Sequence, residues 1–160
     1  MSEQIIKRNR ASAIIIHDGH LLVHRGYSDD WWSLPGGGIE PGETSRQTVQ
    51  REMREELHTD IKIRRLLFIV ENFFTLEQKP YQQFEFQFLA ELPLQSPLLD
   101  VAKTHSGIET EWTDASIPLI FRWFPVRELF MLDFPLKPTY LQHRLYTLPE
   151  TVEHVIWWDE

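Results

Sequence analysis

Apolar residues in this chain come in short runs separated by turn-forming residues, the spacing of strands rather than of long helices. Residues 11–16 (ASAIII) and 21–25 (LLVHR) are two such runs, and Asp18-Gly19 between them supplies the positive-φ pair of a tight turn, so a β-hairpin is predicted. Residues 27–42 break all periodicity with Asp29-Asp30, Trp31-Trp32, Pro35, glycines at 36, 37 and 38, and Pro41-Gly42, and read as a loop. Residues 44–57 contain neither Gly nor Pro and open with Thr44 followed three positions later by Gln47, the form of a capping box, which predicts a helix. Residues 61–74, rich in Ile, Leu, Phe and Val, predict a strand. In 81–92, Phe84, Phe86, Phe88 and Ala90 alternate with Gln83, Glu85 and Gln87, predicting a strand with one face inward and one toward solvent. Residues 92–106, with Pro93 and Pro97, read as loop; 109–113 and 119–124 as short strands; 125–132 as a helix with Pro125 at its first position; and 139–146 as a last helix. No internal repeat or low-complexity segment interrupts this order. Strands on both sides of a central helix, then a helical end, make one mixed α/β domain over 1–160.

Composition narrows the chemistry. The chain is 42% hydrophobic and 12% aromatic over 160 residues, enough for a sizeable core in one domain. With 24 acidic against 16 basic residues the net charge is −8, which excludes general attraction to nucleic acid or an anionic membrane surface. An anionic substrate therefore needs local cations. Having no cysteine, the chain has no disulfide, thiolate metal site or thiol nucleophile. The apolar run at 13–16 is too short for a signal-peptide core or a membrane span, so a soluble cytoplasmic protein is expected. The seven histidines lack paired zinc spacing, and His17, His20 and His24 around the hairpin are expected at the surface or an edge. Neither a GxSxG elbow nor a phosphate-binding loop ending in Lys-Ser/Thr occurs.

The predicted central helix carries the distinctive chemistry. Glu52, Glu55 and Glu56 stand at i, i+3 and i+4, which puts three carboxylates on one face within an arc of about 100°, while Val49, Met53 and Leu57 form the adjacent apolar face. Like charges so spaced repel by about 0.2–0.5 kcal/mol per pair. Two readings follow: a solvated acidic face offset by Arg51 and Arg54, or a site for hard divalent cations, which prefer clustered carboxylate oxygens. The glycine loop directly upstream favours the second.

Gly37, five residues, Glu43, seven residues and then Arg51-Glu52-Met53-Arg54-Glu55-Glu56 resembles the signature of the Nudix hydrolase family. Two positions depart from it: the family's closing Gly falls on His58, where a left-handed helix cap is expected, and its following apolar residue falls on Thr59. Trp32-Ser33-Leu34-Pro35-Gly36-Gly37 and Trp123-Phe124-Pro125-Val126-Arg127-Glu128-Leu129 also resemble family segments. The resemblance implies an α/β/α sandwich with a mixed β-sheet. It implies Mg²⁺ or Mn²⁺ held by Glu52, Glu55 and Glu56 with the Gly36 carbonyl, Glu43 and Arg51 as supports, and Glu55 or Glu52 as the group that orients or deprotonates water. Glu85 is either a distal metal ligand or base, or an ordinary exposed strand carboxylate. Arg25 is a candidate phosphate contact or a solvated strand-end residue. Of Trp31 and Trp32 one stacks on a base or sugar and the other packs beneath the loop, with Trp32 the candidate substrate contact. The implied activity is cleavage of the diphosphate linkage of a nucleoside diphosphate joined to another moiety (nucleotide, nucleotide sugar or related), a small-molecule substrate with no nucleic-acid or membrane partner. The alternative is a catalytically inactive Nudix-fold module that senses a nucleotide or binds a protein. Neither the Pro of ADP-ribose hydrolases nor the Tyr of dinucleoside polyphosphate hydrolases appears at the expected distance past the signature, around 72–75, so the substrate stays open. Trp157-Trp158 fit packing onto the domain's own surface or a homodimer contact, with packing the commoner outcome.

Overall fold

The computed structural model describes residues 3–109 and 117–160. Its strands are β1 (Ile6–Ile14), β2 (Ile16–His17), β3 (His20–Gly26), β4 (Gly36–Gly38), β5 (Lys62–Leu76), β6 (Lys79–Glu91), β7 (His105–Glu109), β8 (Ile117–Pro125) and β9 (Glu153–Trp158), with helices α1 (Ser45–Leu57) and α2 (Leu141–Arg144). They form a five-stranded sheet of order β4-β1-β6-β5-β9 and a four-stranded sheet of order β2-β3-β8-β7. The first is mixed: β1 runs parallel to β6 and β5 to β9, while β4 and β5 run antiparallel to β1 and β6 respectively.

The apolar run 11–16 serves both sheets, which is why it is continuous rather than alternating. The predicted hairpin closes only at its tip, where Ile16 pairs with Leu21 and His17 with His20 around Asp18 (φ 47°) and Gly19 (φ 70°). Upstream, β1 leaves its hairpin partner and joins β6. Its successive side chains enter opposite cores. Ala11 and Ala13 pack with Val49 and Met53 of α1 and with Phe88, Ala90, Phe121 and Trp123. Ile14 joins Leu21, Phe68 and Val70 under Leu129, Leu136, Tyr140 and Leu141. One sheet face is thus covered by α1 and the other by the C-terminal helical segment, a mixed α/β sandwich.

Several expectations are corrected. The polar face of β6 is not solvated: Gln83, Glu85 and Gln87 are buried, because β6 is central in its sheet and the segment carrying Tyr140 lies over that face. Tyr140 Oη donates to Gln87 Oε1, Gln87 Nε2 donates to Glu85 Oε2 over 2.6 Å, and Arg10 is ion-paired with Glu85. Residues 126–131 form a 3₁₀ rather than an α-helix, with Pro125 as its cap and Val126 and Leu129 buried three residues apart, the spacing that aligns side chains in a 3₁₀ helix. The last helix is one turn, Leu141–Arg144. The loop 27–42 contains β4, and β9 is an added edge strand. Of the strand expected at 109–113, Glu109 closes β7 and the remainder lies outside the described residues. Trp157 tucks in, its Nε1 donating to Thr139 Oγ1 over 3.0 Å, whereas Trp158 is 66% exposed and stacks on Phe73. No helix among the described residues is long and apolar enough to cross a membrane.

Candidate active site

Helix α1 starts where the sequence says it should. Thr44 Oγ1 accepts from Gln47 N (3.1 Å) and Gln47 Oε1 accepts from Thr44 N (2.9 Å), closing the capping box. The helix ends on His58 in the left-handed region (φ 51°, ψ 38°), whose N–H donates to the Arg54 carbonyl. Its buried stripe is Thr48, Val49, Glu52, Met53 and Glu56, so two of the three clustered carboxylates lie on the inward side. A solvated acidic face is therefore excluded.

Arg51 is the hub that makes this arrangement tolerable. Its Nε and Nη2 form a two-pronged contact with Glu43 at 2.8 and 3.0 Å, while Nη1 donates to Glu52 (2.9 Å) and Glu55 (3.2 Å). Nη2 also donates to the Gly38 carbonyl (3.0 Å), so one side chain ties the glycine loop to the helix. Thr48 Oγ1 adds a 2.6 Å bond to Glu43. The Arg51 guanidinium and these hydrogen bonds hold the Glu43 carboxyl down at about 2, and Glu43 in turn holds the Arg51 guanidinium firmly protonated. The sheet approaches Glu52 closely: a Cβ on Gly37 would stand 2.3 Å from Glu52 Oε1, so only glycine leaves the carboxylate its place. Glu56 Oε2 lies 3.5 Å from His24 Nδ1.

A cleft of about 930 Å³ opens over this cluster, with Glu55 and Arg51 at one side and Arg8, Arg10, Gln83 and Trp31 among its other walls. Of the two expected substrate contacts, Trp32 is sealed in the core and Arg25 stands on the cleft wall. Trp32 is 0% exposed, packs edge-on against Phe124 and donates from Nε1 to Asp133, so it cannot stack on a ligand; Trp31 is the indole on the cleft wall. Arg25 lies over the Trp32 and Phe134 rings and donates to the carbonyls of Gly26, Tyr27 and Asp29, bracing the loop that follows β3. Glu85 is on the sheet face opposite α1 and reaches the cleft through Arg10, which is also bonded to the Leu34 carbonyl (2.6 Å). His24, expected at the surface, is 7% exposed because β8 and α1 close over it. Sequence reading missed Arg10 as well. Its signal was the basic run Lys7-Arg8-Asn9-Arg10, which belongs to β1 and sends alternate side chains to the face shared with Gln83 and Glu85.

The comparisons agree with this architecture. The nucleoside triphosphatase NudI of Enterobacter sp. (strain 638) is 49% identical to this chain over 62 residues, 36% of this chain and 44% of that protein. NudI of Salmonella agona (strain SL483) is 39% identical over 56 residues, 32% and 40% of the two chains. The chain thus matches less than half the length of these curated relatives. Among solved structures, a UDP-X diphosphatase superposes with a TM-score of 0.59 at 20% identity, covering 96% of this chain and 69% of the other. An ADP-ribose pyrophosphatase from Streptococcus suis 89-1591 gives a TM-score of 0.57 at 17% identity, covering 93% and 98%. At such identities the likeness is one of fold. The NUDIX domain model matches residues 7–145, and the chain belongs to that family.

Proposed function

We propose that this chain is a divalent-metal-dependent hydrolase that splits the diphosphate linkage of a nucleotide-type small molecule. The observation that carries the reading is the gathering of Glu43, Glu52 and Glu55 around the single guanidinium of Arg51, with Glu56 buried on the same helix, at the edge of an arginine-lined cleft. Three carboxylates on one Arg, with Glu56 buried beside them on α1, leave surplus negative charge, part of it buried, and a hard cation is the partner that such an oxygen set suits.

The donor chemistry fits the Mg²⁺ or Mn²⁺ that the family implies, although among the described residues no three acidic or histidine side chains stand already gathered around one point: Glu52, Glu55 and Glu56 would hold it, with the Gly36 carbonyl as a further oxygen. When bound, the cation neutralises phosphate oxygens and makes water more acidic. The chain's own residues do the rest. Glu55, the most exposed of the three carboxylates, stands at the cleft and receives a proton as the water oxygen bonds to phosphorus and the bond to the leaving phosphate breaks. Arg51 fixes Glu52 and Glu55, and Glu43 fixes Arg51. Arg8 and Arg10 supply the local positive charge that a chain of net charge −8 needs for an anionic substrate. Glu85, engaged by Arg10 and Gln87, positions Arg10 rather than a metal, and Trp31 takes the stacking role first considered for Trp32.

Phosphate and nucleotide release from nucleoside triphosphates, nucleotide sugars, ADP-ribose and dinucleoside polyphosphates, each with Mg²⁺, Mn²⁺ or EDTA, tests this. The names of the NudI relatives make nucleoside triphosphates the first arm. Cleavage that needs metal is expected, and Glu55→Gln should lower kcat by about 100-fold or more with an unchanged circular dichroism spectrum. Unchanged turnover in Glu55→Gln sinks the assignment. Tight binding without product in every arm makes the protein a nucleotide-sensing module instead.

A further inference from the structure

His24 is a buried imidazole on the wall of the cleft, on a strand where Val23 and Leu22 are fully buried. Its backbone is fixed from two directions. It exchanges reciprocal 2.9 Å N–H to O bonds with Ser33, which begins the loop leading to Gly36, and it pairs with Phe121 on β8. The ring rests 5.2 Å from the Phe121 ring at a tilt of 56°. That packing restrains the imidazole, whose Nδ1 faces Glu56 Oε2 at 3.5 Å, both side chains being more than nine-tenths buried.

We infer that His24 is a positioning residue for the metal-binding carboxylates: its Nδ1–H directs Glu56 Oε2 and so presents the other carboxylate oxygen to a divalent cation. The inference rests on the metal-dependent reading above and deepens it. Arg51 braces Glu52 and Glu55, and His24 is a fixed polar group set against the third carboxylate. A small cation that demands near-octahedral geometry discriminates against a carboxylate free to swivel. Hydrogen-bond donors behind metal ligands typically contribute about 10–100-fold in affinity. At 3.5 Å the contact is longer than a formed charge-assisted bond of about 2.7–2.9 Å, and such bonds in unliganded sites shorten when the ligand arrives.

The test measures Mn²⁺ affinity directly, from the free-ion electron paramagnetic resonance signal during titration of the whole chain, with thermal midpoints recorded without metal. His24→Asn keeps an N–H close to the Nδ1 position, His24→Gln puts its amide nearer Nε2, and His24→Phe keeps the ring against Phe121 and loses both nitrogens. The inference expects Asn within about threefold of the wild type and Gln and Phe weaker by about tenfold or more. A purely structural role would move the thermal midpoints and leave Mn²⁺ affinity alone. Wild-type affinity in His24→Phe, or equal losses in His24→Asn and His24→Phe, overturns the inference. A wild-type chain that takes up no Mn²⁺ overturns the metal reading itself, a result distinguishable from the other two.

Discussion

Among single residues Glu43 carries the clearest energetic signature. Its carboxyl titrates at about 2 rather than the ordinary 4.5 because Arg51 and Thr48 bind the ionised form. A carboxyl whose folded pKa is depressed adds stability that is complete above the unfolded value and is lost as pH falls through the folded one. Glu43→Gln should therefore cost about 2–3 kcal/mol at pH 7, the difference narrowing below pH 4.5 and closing near pH 2, as read from urea unfolding of both proteins across that range. A constant gap at all pH values would mean that packing, not charge, explains the loss. The identities of Glu43, Arg51, Glu52, Glu55 and Glu56 were legible in the sequence because their spacing along one loop and one helix is local. The tryptophans were not: which indole turns inward is decided by Asp133, 101 residues away, and no local pattern contains that information. His24 escaped for the same reason, since what covers it comes from β8 and α1.

Elements were readable in proportion to how far their own residues decide them. The capping box of α1 is contained in four consecutive residues and forms as the sequence predicts. The other end of α1 is a conflict written into the chain, because His58 adopts φ 51° where a side chain bearing Cβ is strained. His58→Gly should relieve that strain and stabilise the protein by about 0.5–1 kcal/mol, a rise of roughly 1–4 °C in Tm by scanning calorimetry. A fall in Tm would show that the His58 side chain makes a contribution larger than its backbone costs. The remaining elements depend on partners distant in sequence. Strand β4 has three glycines and no apolar signal, and exists because β1 offers it an antiparallel edge. Strand β6 alternates as an amphipathic strand would, yet its Gln and Glu face is sealed once Tyr140 and Arg10 supply partners for the buried groups. Edge strand β9 needs β5 beside it.

At the scale of the whole molecule, burial and charge oppose each other at one place. The fold brings α1 against β1, β4 and β7 and thereby packs Glu52 and Glu56 into a chain already at −8. A cation that binds this cluster in the folded chain and not in the unfolded one must raise stability by the binding free energy, about 2.7 kcal/mol at a concentration 100 times its dissociation constant. For a domain of this size that corresponds to a rise in Tm of roughly 5–10 °C. The rise should appear with Mg²⁺ or Mn²⁺ and vanish with EDTA. Glu56→Gln should blunt it, because one of the three oxygen donors loses its charge. Screening offers the competing explanation, since any salt softens the self-repulsion of an acidic protein. Sodium chloride matched to the ionic strength of the divalent salt separates the two: screening gives equal shifts from both salts and the same shift in Glu56→Gln. A bound cation gives a shift that saturates with concentration and exceeds the matched control, and only that outcome is compatible with a carboxylate cluster built to hold metal.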